Sequence, residues 1–216
     1  MTSSDPASGS ERVRRPRAPG ERSRRKVLDV AARLASVEGL DGLSIGRLAD
    51  AADMPKSSVY VLFGSKEELQ LATVDAARTS FIAEVVQPAL TLPPGRDRLN
   101  ALCEGFLSYV QRRVFPGGCF FVAVSAELGG RDGRVRDRVA DYQQQWRDLL
   151  RQTADEAHRQ GELPAGTDPD QLAFELGAML TGTNIIAVLH SDDTAIERAH
   201  RTIRERLGYT EPLSNI

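Results

Sequence analysis

The 216-residue chain is poor in cysteine, histidine and aromatic residues. Its two cysteines, Cys103 and Cys119, lie too far apart in the sequence to form a C-x-x-C metal or redox pair. The three histidines, His158, His190 and His200, have no partner at metal-ligand spacing, and no Ser-His-Asp or phosphate-loop signature is present. The sequence therefore predicts no disulfide framework, no metal, no cofactor and no enzymatic activity.

Long apolar runs are also missing. The longest run covers residues 119–124, whereas a membrane-spanning helix needs about 18 to 20 apolar residues. The N-terminus has no basic segment followed by an apolar core, which is the pattern of a secretory signal. We therefore predict a cytoplasmic protein with no membrane partner.

Charge is distributed unevenly along a chain that is otherwise typical of a globular protein, with 41% hydrophobic and 27% charged residues. Residues 1–66 hold 12 Lys and Arg against 8 Asp and Glu, whereas residues 67–216 hold 16 against 22. A net charge of -2 thus hides a basic front end joined to an acidic body. Such a front end favours a polyanionic partner.

The most basic segment, residues 11–26, is interrupted by Pro16 and Pro19. It carries too few apolar residues to bury a core, so we predict a disordered, Arg-rich arm over residues 1–21. Two interpretations of this arm remain open. It is either a solvated tail, or an arm whose residues from Arg12 to Arg17 reach a minor groove or flanking phosphates of DNA.

Apolar residues recur at three- and four-residue steps along the rest of the chain, which predicts an all-α fold. An N-terminal helix-turn-helix domain is predicted over residues 22–66, a helical domain over 67–208 and a short tail over 209–216. Breaks at glycine and proline clusters give the predicted helices, which cover about 22–38, 45–52, 55–63, 65–86, 97–114, 119–128, 133–160, 168–189 and 194–207.

The two short helices at 45–52 and 55–63 are separated by Asp53-Met54-Pro55 and have the dimensions of a helix-turn-helix. In the second, Val59, Leu62 and Phe63 are predicted to face inward. The outward face would then enter a major groove about 12 Å wide and present polar side chains to bases and phosphates. These outward residues are Lys56, Ser57, Ser58, Tyr60 and Val61.

Residues 39–45 (GLDGLSI), Leu48-Ala49 and residues 56–69 (KSSVYVLFGSKEEL) resemble the DNA-binding domain of the TetR family of bacterial transcriptional regulators. The resemblance covers about residues 22–70. It implies an all-helical homodimer whose first three helices bind a palindromic operator in double-stranded DNA. It further implies a C-terminal domain that forms the dimer interface and binds a small-molecule effector, whose identity the resemblance does not give.

Carried over to this sequence, the resemblance implies phosphate contacts by Ser44 and Tyr60, a backbone grip by Lys66 and base contacts from Lys56 to Ser58. At Gly46, where some relatives carry a base-contacting side chain, glycine has no reach, and Arg47 is the candidate substitute. Ser44 can also act as an N-cap, and Tyr60 has the alternative of a half-buried core aromatic. The complete predicted DNA-binding set is Arg22, Arg24, Arg25, Ser44, Arg47, Pro55, Lys56, Ser57, Ser58, Tyr60 and Lys66.

The helix at 168–189 carries two apolar stripes, of which only one is needed to pack on its own domain. We predict that the second stripe and the last helix form a twofold four-helix interface. The alternative is a helix buried at the centre of a monomer. The predicted interface residues are Phe174, Ala178, Thr181, Gly182, Ile185, Ile196 and Ile203.

The middle helices supply aromatic and aliphatic residues for a mostly apolar effector cavity. For each residue the alternative is ordinary core packing. Under that alternative the DNA-binding dimer would answer to a protein partner or be constitutive. Cys119 is either a thiol sensor or a buried apolar residue. The predicted ligand-binding residues are Phe106, Tyr109, Phe120, Phe121, Val124, Trp146, Leu150, Met179 and Asn184.

Overall fold

The computed structural model of the chain describes residues 18–209. Within that range the fold is all-helical, as predicted, and contains no strand. Residues 1–17 and 210–216 lie outside the described part, and with them most of the predicted arm and tail. The helices are α1 (Ala18–Glu38), α2 (Ile45–Ala52), α3 (Lys56–Phe63), α4 (Lys66–Phe81), α5 (Gln87–Leu90), α6 (Arg96–Gln111), α7 (Phe120–Leu128), α8 (Arg134–Arg159), α9 (Pro169–Leu189) and α10 (Thr194–Arg206).

Both predicted terminal boundaries need correction. Helix α1 begins at Ala18, so the arm does not extend to residue 21, because a proline such as Pro19 is accepted in the first turn of a helix. At the other end, Tyr209 belongs to the folded body. The Arg96 and Arg204 guanidinium carbons lie 4.3 and 4.6 Å from its ring centroid, and its hydroxyl donates to Asp97.

Helices α1 to α3 form a small domain whose turns are fixed by local hydrogen bonds. The Ser44 hydroxyl accepts from the Arg47 amide at 3.3 Å and caps α2. Asp53 then adopts a left-handed conformation, with φ 52°, and the Met54 amide donates to the Ala49 carbonyl at 2.9 Å. Ser65 caps α4 by accepting from the Glu68 amide at 3.1 Å. The three-helix unit thus ends where α4 begins.

The segment after α4 stays helical beyond residue 86, where the sequence predicts that the helix ends. The chain widens into a π-helical turn over Ile82–Val86 and continues as α5 to Leu90. Proline has no amide hydrogen, and its ring crowds the carbonyl four residues earlier, which here is Glu84 within the wide turn. The π turn relieves that crowding, so the chain stays helical past Pro88.

Helices α6 to α10 pack with α4 around an apolar core in which Leu102, Leu107 and Leu176 are fully buried. Helix α9 is long and apolar enough to cross a membrane by length and composition. It nevertheless packs against α6, α8 and α10, and seven of its side chains are buried. Its composition reflects an apolar inner face combined with an apolar outer face.

The loop between α6 and α7 joins the two parts of the chain at Gly117. Its amide donates to the Ser36 hydroxyl at 3.1 Å, and the Arg33 guanidinium donates to the Val114 carbonyl at 3.1 Å. A Cβ atom added at Gly117 would collide with the Ser36 backbone carbonyl, which cannot swing away as a flexible side chain can. Glycine is therefore required for this close approach of the loop to α1.

Replacing Gly117 by alanine should accordingly lower the free energy of unfolding by about 3 kcal/mol, because either the loop or α1 must shift. Gly130→Ala is the matched control, since nothing lies within 4 Å of a Cβ at that position. Chemical denaturation of both variants measures the difference. Equal stabilities for the two variants would contradict the close approach at Gly117.

Candidate DNA-binding face, ligand cavity and the joint between them

The second helix of the helix-turn-helix, α3, presents a polar face to solvent. Val59 and Phe63 are buried against α1 and α2, and Leu62 packs on the same core. Tyr60 is 58% exposed, which contradicts the core-aromatic alternative, and Val61 is 83% exposed. An α-helix with its side chains is about 10–12 Å in diameter, which matches the width of a major groove. Its other outward residues are Lys56 and Ser57, with Ser58 half-buried beside them.

The basic residues predicted to contact DNA lie around this face, and some of them already contact other groups of the protein. Arg22 and Arg25 are exposed on α1. The Arg24 guanidinium instead lies over the Phe63 ring, with its carbon 5.1 Å from the ring centroid. The Lys66 ammonium donates to the Asp41 carbonyl at 2.7 Å, which leaves two of its three donors for a phosphate.

The Lys56 side chain lies beside Gly46, where glycine has no side chain of its own. The Nζ and Cε atoms of Lys56 lie 3.5 Å from where a Cβ of residue 46 would be, so Lys56 covers this gap. Arg47, the substitute suggested by the sequence, is instead paired with Glu38. The hydrogen bond from Arg47 holds the pKa of Glu38 below its ordinary value, so the pair is charged at neutral pH. A base contact by Arg47 would require this pair to open.

A cavity of about 950 Å³ lies in the C-terminal part of the chain. Its inner wall is aromatic: the Phe106 and Trp146 rings stack with centroids 6.3 Å apart, and Phe81 meets Trp146 edge-on at 5.2 Å. Its volume lies within the range of small-molecule sites in proteins. Helices α4, α6, α7, α8 and α9 all contribute to the wall, together with Val86 of the π turn and Cys119 beside α7.

The structure brings three of the predicted ligand-binding residues to this wall, namely Phe106, Phe121 and Trp146. It does not place the other six there, because five of them are buried in the core and Met179 packs against that core. The Asn184 amide oxygen, for example, accepts from the Cys119 amide at 2.8 Å. The six are Tyr109, Phe120, Val124, Leu150, Met179 and Asn184.

Polar residues that sequence reasoning missed lie on the cavity wall or its rim. Arg78 Nη2 donates to the Gln145 amide oxygen at 3.0 Å, and its guanidinium carbon lies 4.6 Å from the centroid of the Tyr142 ring. Residues 143–145, three consecutive glutamines, add amide groups on α8. A polar stretch on an amphipathic helix is normally solvent-facing, so no sequence pattern distinguishes it from a rim.

Cys119 also contributes to the wall, but as a protonated thiol. Burial raises its pKa to about 11, and the side chain is almost inaccessible. A thiol in that state is a poor nucleophile at neutral pH. The geometry thus favours the buried-residue interpretation of Cys119 over the thiol sensor.

The outer side of α9 is an exposed apolar face, defined by Phe174, Ile185, Ile186 and Leu189. Phe174 and Leu189 are 70% and 72% exposed. Five predicted interface residues lie on or beside this face and also line the cavity: Phe174, Ala178, Thr181, Gly182 and Ile185.

The last helix requires a correction. Ile196 and Ile203 are almost completely buried within their own subunit, so they are not on the exposed face. The outward side of α10 is instead charged, with Glu197, Arg198 and Arg201 exposed.

A carboxylate on α7 holds the helix-turn-helix domain against the rest of the chain. The two Glu127 oxygens accept from the Leu40 amide at 2.8 Å and the Asp41 amide at 2.7 Å, a contact we term the interdomain clasp. Gly39 has φ 78°, and a Cβ there would collide with the Glu127 carboxylate. Because the partners are 86 and 87 residues apart, no local sequence signal could have paired them.

Further contacts hold the same loop. Arg131 pairs with the Asp41 carboxylate and holds its pKa below the ordinary value. From α4, the Gln70 amide donates to the Leu40 carbonyl at 3.0 Å. Since α7 also carries Phe121 and Val122 on the cavity wall, one short helix touches both the cavity and the helix-turn-helix.

A three-helix unit with an outward-facing second helix, joined to a helical body that contains a cavity, defines a helix-turn-helix transcriptional regulator. Comparison with known families agrees with this class. Residues 27–73 match the family described as bacterial regulatory proteins, tetR family, and residues 95–203 match the tetracyclin repressor-like C-terminal domain. The chain therefore belongs to the TetR family of bacterial transcriptional regulators.

Individual relatives show the same similarity. The HTH-type transcriptional repressor NemR of Escherichia coli is 26% identical over 182 residues, which cover 82% of this chain and 89% of NemR. The crystal structure of a TetR regulator from Chloroflexus aurantiacus is 27% identical, with a TM-score of 0.76 over 87% of this chain and 94% of that one. The structure of AibR in complex with isovaleryl coenzyme A and operator DNA is 22% identical, with a TM-score of 0.68 over 86% and 98%.

Proposed function

We propose that the protein is a homodimeric repressor that binds a palindromic operator in the cytoplasm and leaves it when a small apolar or amphipathic molecule occupies the cavity. One observation carries the proposal: α4 begins beside the helix-turn-helix at Lys66 and lines the cavity with Arg78 and Phe81. Lys66 and the cavity-lining pair Arg78 and Phe81 are about 20 Å apart along the helix axis. NemR, named a repressor, and AibR, solved with a ligand and operator DNA, support the comparison.

Dimer formation accounts for the exposed apolar face of α9. A contiguous apolar surface of this kind is unfavourable in water and is typical of a protein interface. A second copy of the chain, related by a twofold axis, would bury Phe174 and Leu189 and place two α3 helices one DNA turn apart. It would also cover the cavity side lined by Ala178, Thr181 and Ile185.

Release requires the ligand to bind one conformation more tightly than the other, because equal affinity shifts no equilibrium. A guest in the cavity would press on Phe81 of α4 and Phe121 of α7. Displacement of α4 would change the spacing of the two α3 helices. Displacement of α7 would pull on the interdomain clasp. The alternative, control by a protein partner with a solid core, gives no role to a cavity of about 950 Å³.

Selection of bound genomic fragments should return an inverted repeat. Operator affinity should fall with salt at about -0.9 per phosphate neutralised, on logarithmic axes. Lys56→Ala should change which sequence is preferred, by about 1 to 3 kcal/mol, because a base contact is lost. Lys66→Ala should weaken all sequences equally, because it removes a phosphate contact.

The matched control is Arg159→Ala, which removes a positive charge that is paired with Asp155 and Glu156 on α8. Its operator affinity should equal that of the wild type. If no inverted repeat is enriched, the DNA-binding part of the proposal fails. If compounds that change Trp146 emission saturably leave operator affinity unaltered, the ligand-responsive part fails.

A further inference from the structure

We propose that the cavity takes an amphipathic anion, with a carboxylate placed beside Arg78 and an acyl or aryl body against the aromatic wall. The inference rests on the proposed function in taking this cavity as the effector site. It goes further by naming the chemical class of the effector. Two observations carry it: Arg78 has no charged partner within residues 18–209, and the other charged residues of the cavity lining do not supply an excess negative charge.

Arg78 lacks the counter-charge that its neighbour has. Arg138 also lies near the Tyr142 ring, but it donates to both Asp75 oxygens at 2.6 and 2.8 Å. Within residues 18–209, Arg78 has no carboxylate in ion-pair distance and donates to the neutral amide of Gln145. A guanidinium has five N–H donors, so most of those of Arg78 are left for a guest.

The surroundings of Arg78 make such a guest favourable. The side chain is half-buried in a cavity whose other walls include Phe81, Phe106 and Trp146. A charge beside apolar surface is less well solvated than a charge in bulk water, so a partner of opposite sign contributes more there. A carboxylate matches the planar guanidinium by accepting two parallel hydrogen bonds.

The other charged residues that line the cavity are two arginines and two aspartates, so the one excess positive charge of the lining is that of Arg78. Arg151 Nε lies 3.9 Å from an Asp148 carboxylate oxygen, and Arg147 donates to the Gln144 amide oxygen. With Asp170 counted, three arginines face two aspartates. An aromatic wall by itself would also suit a quaternary ammonium ion. Arg78 already covers the Tyr142 face, and its charge repels a cation, so the structure favours the anion.

Three probes with the same ten-carbon chain test the inference: decanoate, decanol and decyltrimethylammonium, each kept below its micelle concentration. Trp146 is the only tryptophan and lies on the cavity wall, so its emission reports binding in the intact protein. Decanoate should bind at least about tenfold more tightly than either of the others, because it alone forms charge-assisted hydrogen bonds with Arg78.

Variants of Arg78 separate charge from packing. Arg78→Gln should weaken decanoate about tenfold and leave decanol within about twofold, because only the charged pair is lost. Arg78→Lys should retain most of the decanoate binding. Arg98→Gln is the control, since Arg98 donates to the Leu92 carbonyl and does not line the cavity.

Equal binding of decanol and decanoate, tighter binding of the cation, or an Arg78→Gln variant that binds decanoate like the wild type would each overturn the anion proposal. Operator binding is measured separately on the same samples. If decanoate binds through Arg78 but leaves operator affinity unchanged, the ligand class stands and the repressor function fails. If decanol releases the operator as well as decanoate does, the repressor function stands and the anion proposal fails.

Discussion

Replacing Phe174 and Leu189 by aspartate should convert the protein from a dimer to a monomer and lower its operator affinity by about 100-fold or more. These are the most exposed apolar residues of α9, and they are about 22 Å apart along the helix. Two buried aspartates on each subunit would face their counterparts across a twofold axis without partners, which disfavours association. A monomer then binds one half-site and loses the gain from binding both together.

Sedimentation at micromolar concentration measures the assembly, and a gel-shift titration without added ligand measures operator affinity. Leu90→Asp is the matched control, because Leu90 is an exposed apolar residue of α5 that does not line the cavity. It should leave both properties unchanged. A double variant that stays dimeric would show that α9 does not form the interface. A monomer that retains full operator affinity would contradict recognition of a palindrome by a dimer.

Removing the interdomain clasp with Glu127→Ala should reduce the effect of a bound ligand on operator affinity by about tenfold or more, which is within the usual size of a coupling between sites. The substitution leaves the Leu40 and Asp41 amides without their acceptor, and Leu40 is fully buried. Loss of such charge-assisted hydrogen bonds costs about 1.5 to 3 kcal/mol each. The loop at residues 39–43 would then follow α7 less closely.

Two measurements distinguish lost coupling from lost ligand binding. Trp146 emission should give nearly the same ligand affinity in the variant, because Glu127 does not line the cavity. Hydrogen exchange of the Leu40 amide should become faster. Glu127→Gln, which keeps one acceptor oxygen, should fall between Glu127→Ala and the wild type. A variant with an unchanged ligand response would show that α7 does not transmit the signal.

The sequence by itself determined the features that depend on local hydrogen bonds and periodicity. The Ser44 cap predicted above is observed. Local patterns also specify two further caps: Ser65 in the S-x-x-E sequence of residues 65–68, and Asp168, which accepts from the Asp170 and Gln171 amides. The inward and outward faces of α3 also follow from residue spacing. A cap or a helical face involves neighbours within about four positions, so a short stretch of sequence determines whether it forms.

Only the tertiary structure decided which apolar residues line the cavity and which fill the core. Phe121 lies on the cavity wall, whereas Phe120, its neighbour in sequence, is buried with no access to it. Ile185 and Ile196 are both predicted interface residues, but Ile185 is exposed and Ile196 is buried. An apolar side chain shows the same helical periodicity whether it meets a hole, a partner subunit or another helix of its own chain.

The pairing of Glu127 with the loop at Leu40 was also decided by the tertiary structure. A glutamate at the end of a helix is ordinarily a solvated residue, and its amide partners come from a turn far away in the sequence. Arg78 is similar, because its missing counter-charge becomes visible only when α4, α8 and α9 surround it. Both features arise from helix packing, which sets distances between residues that the order of the chain leaves independent.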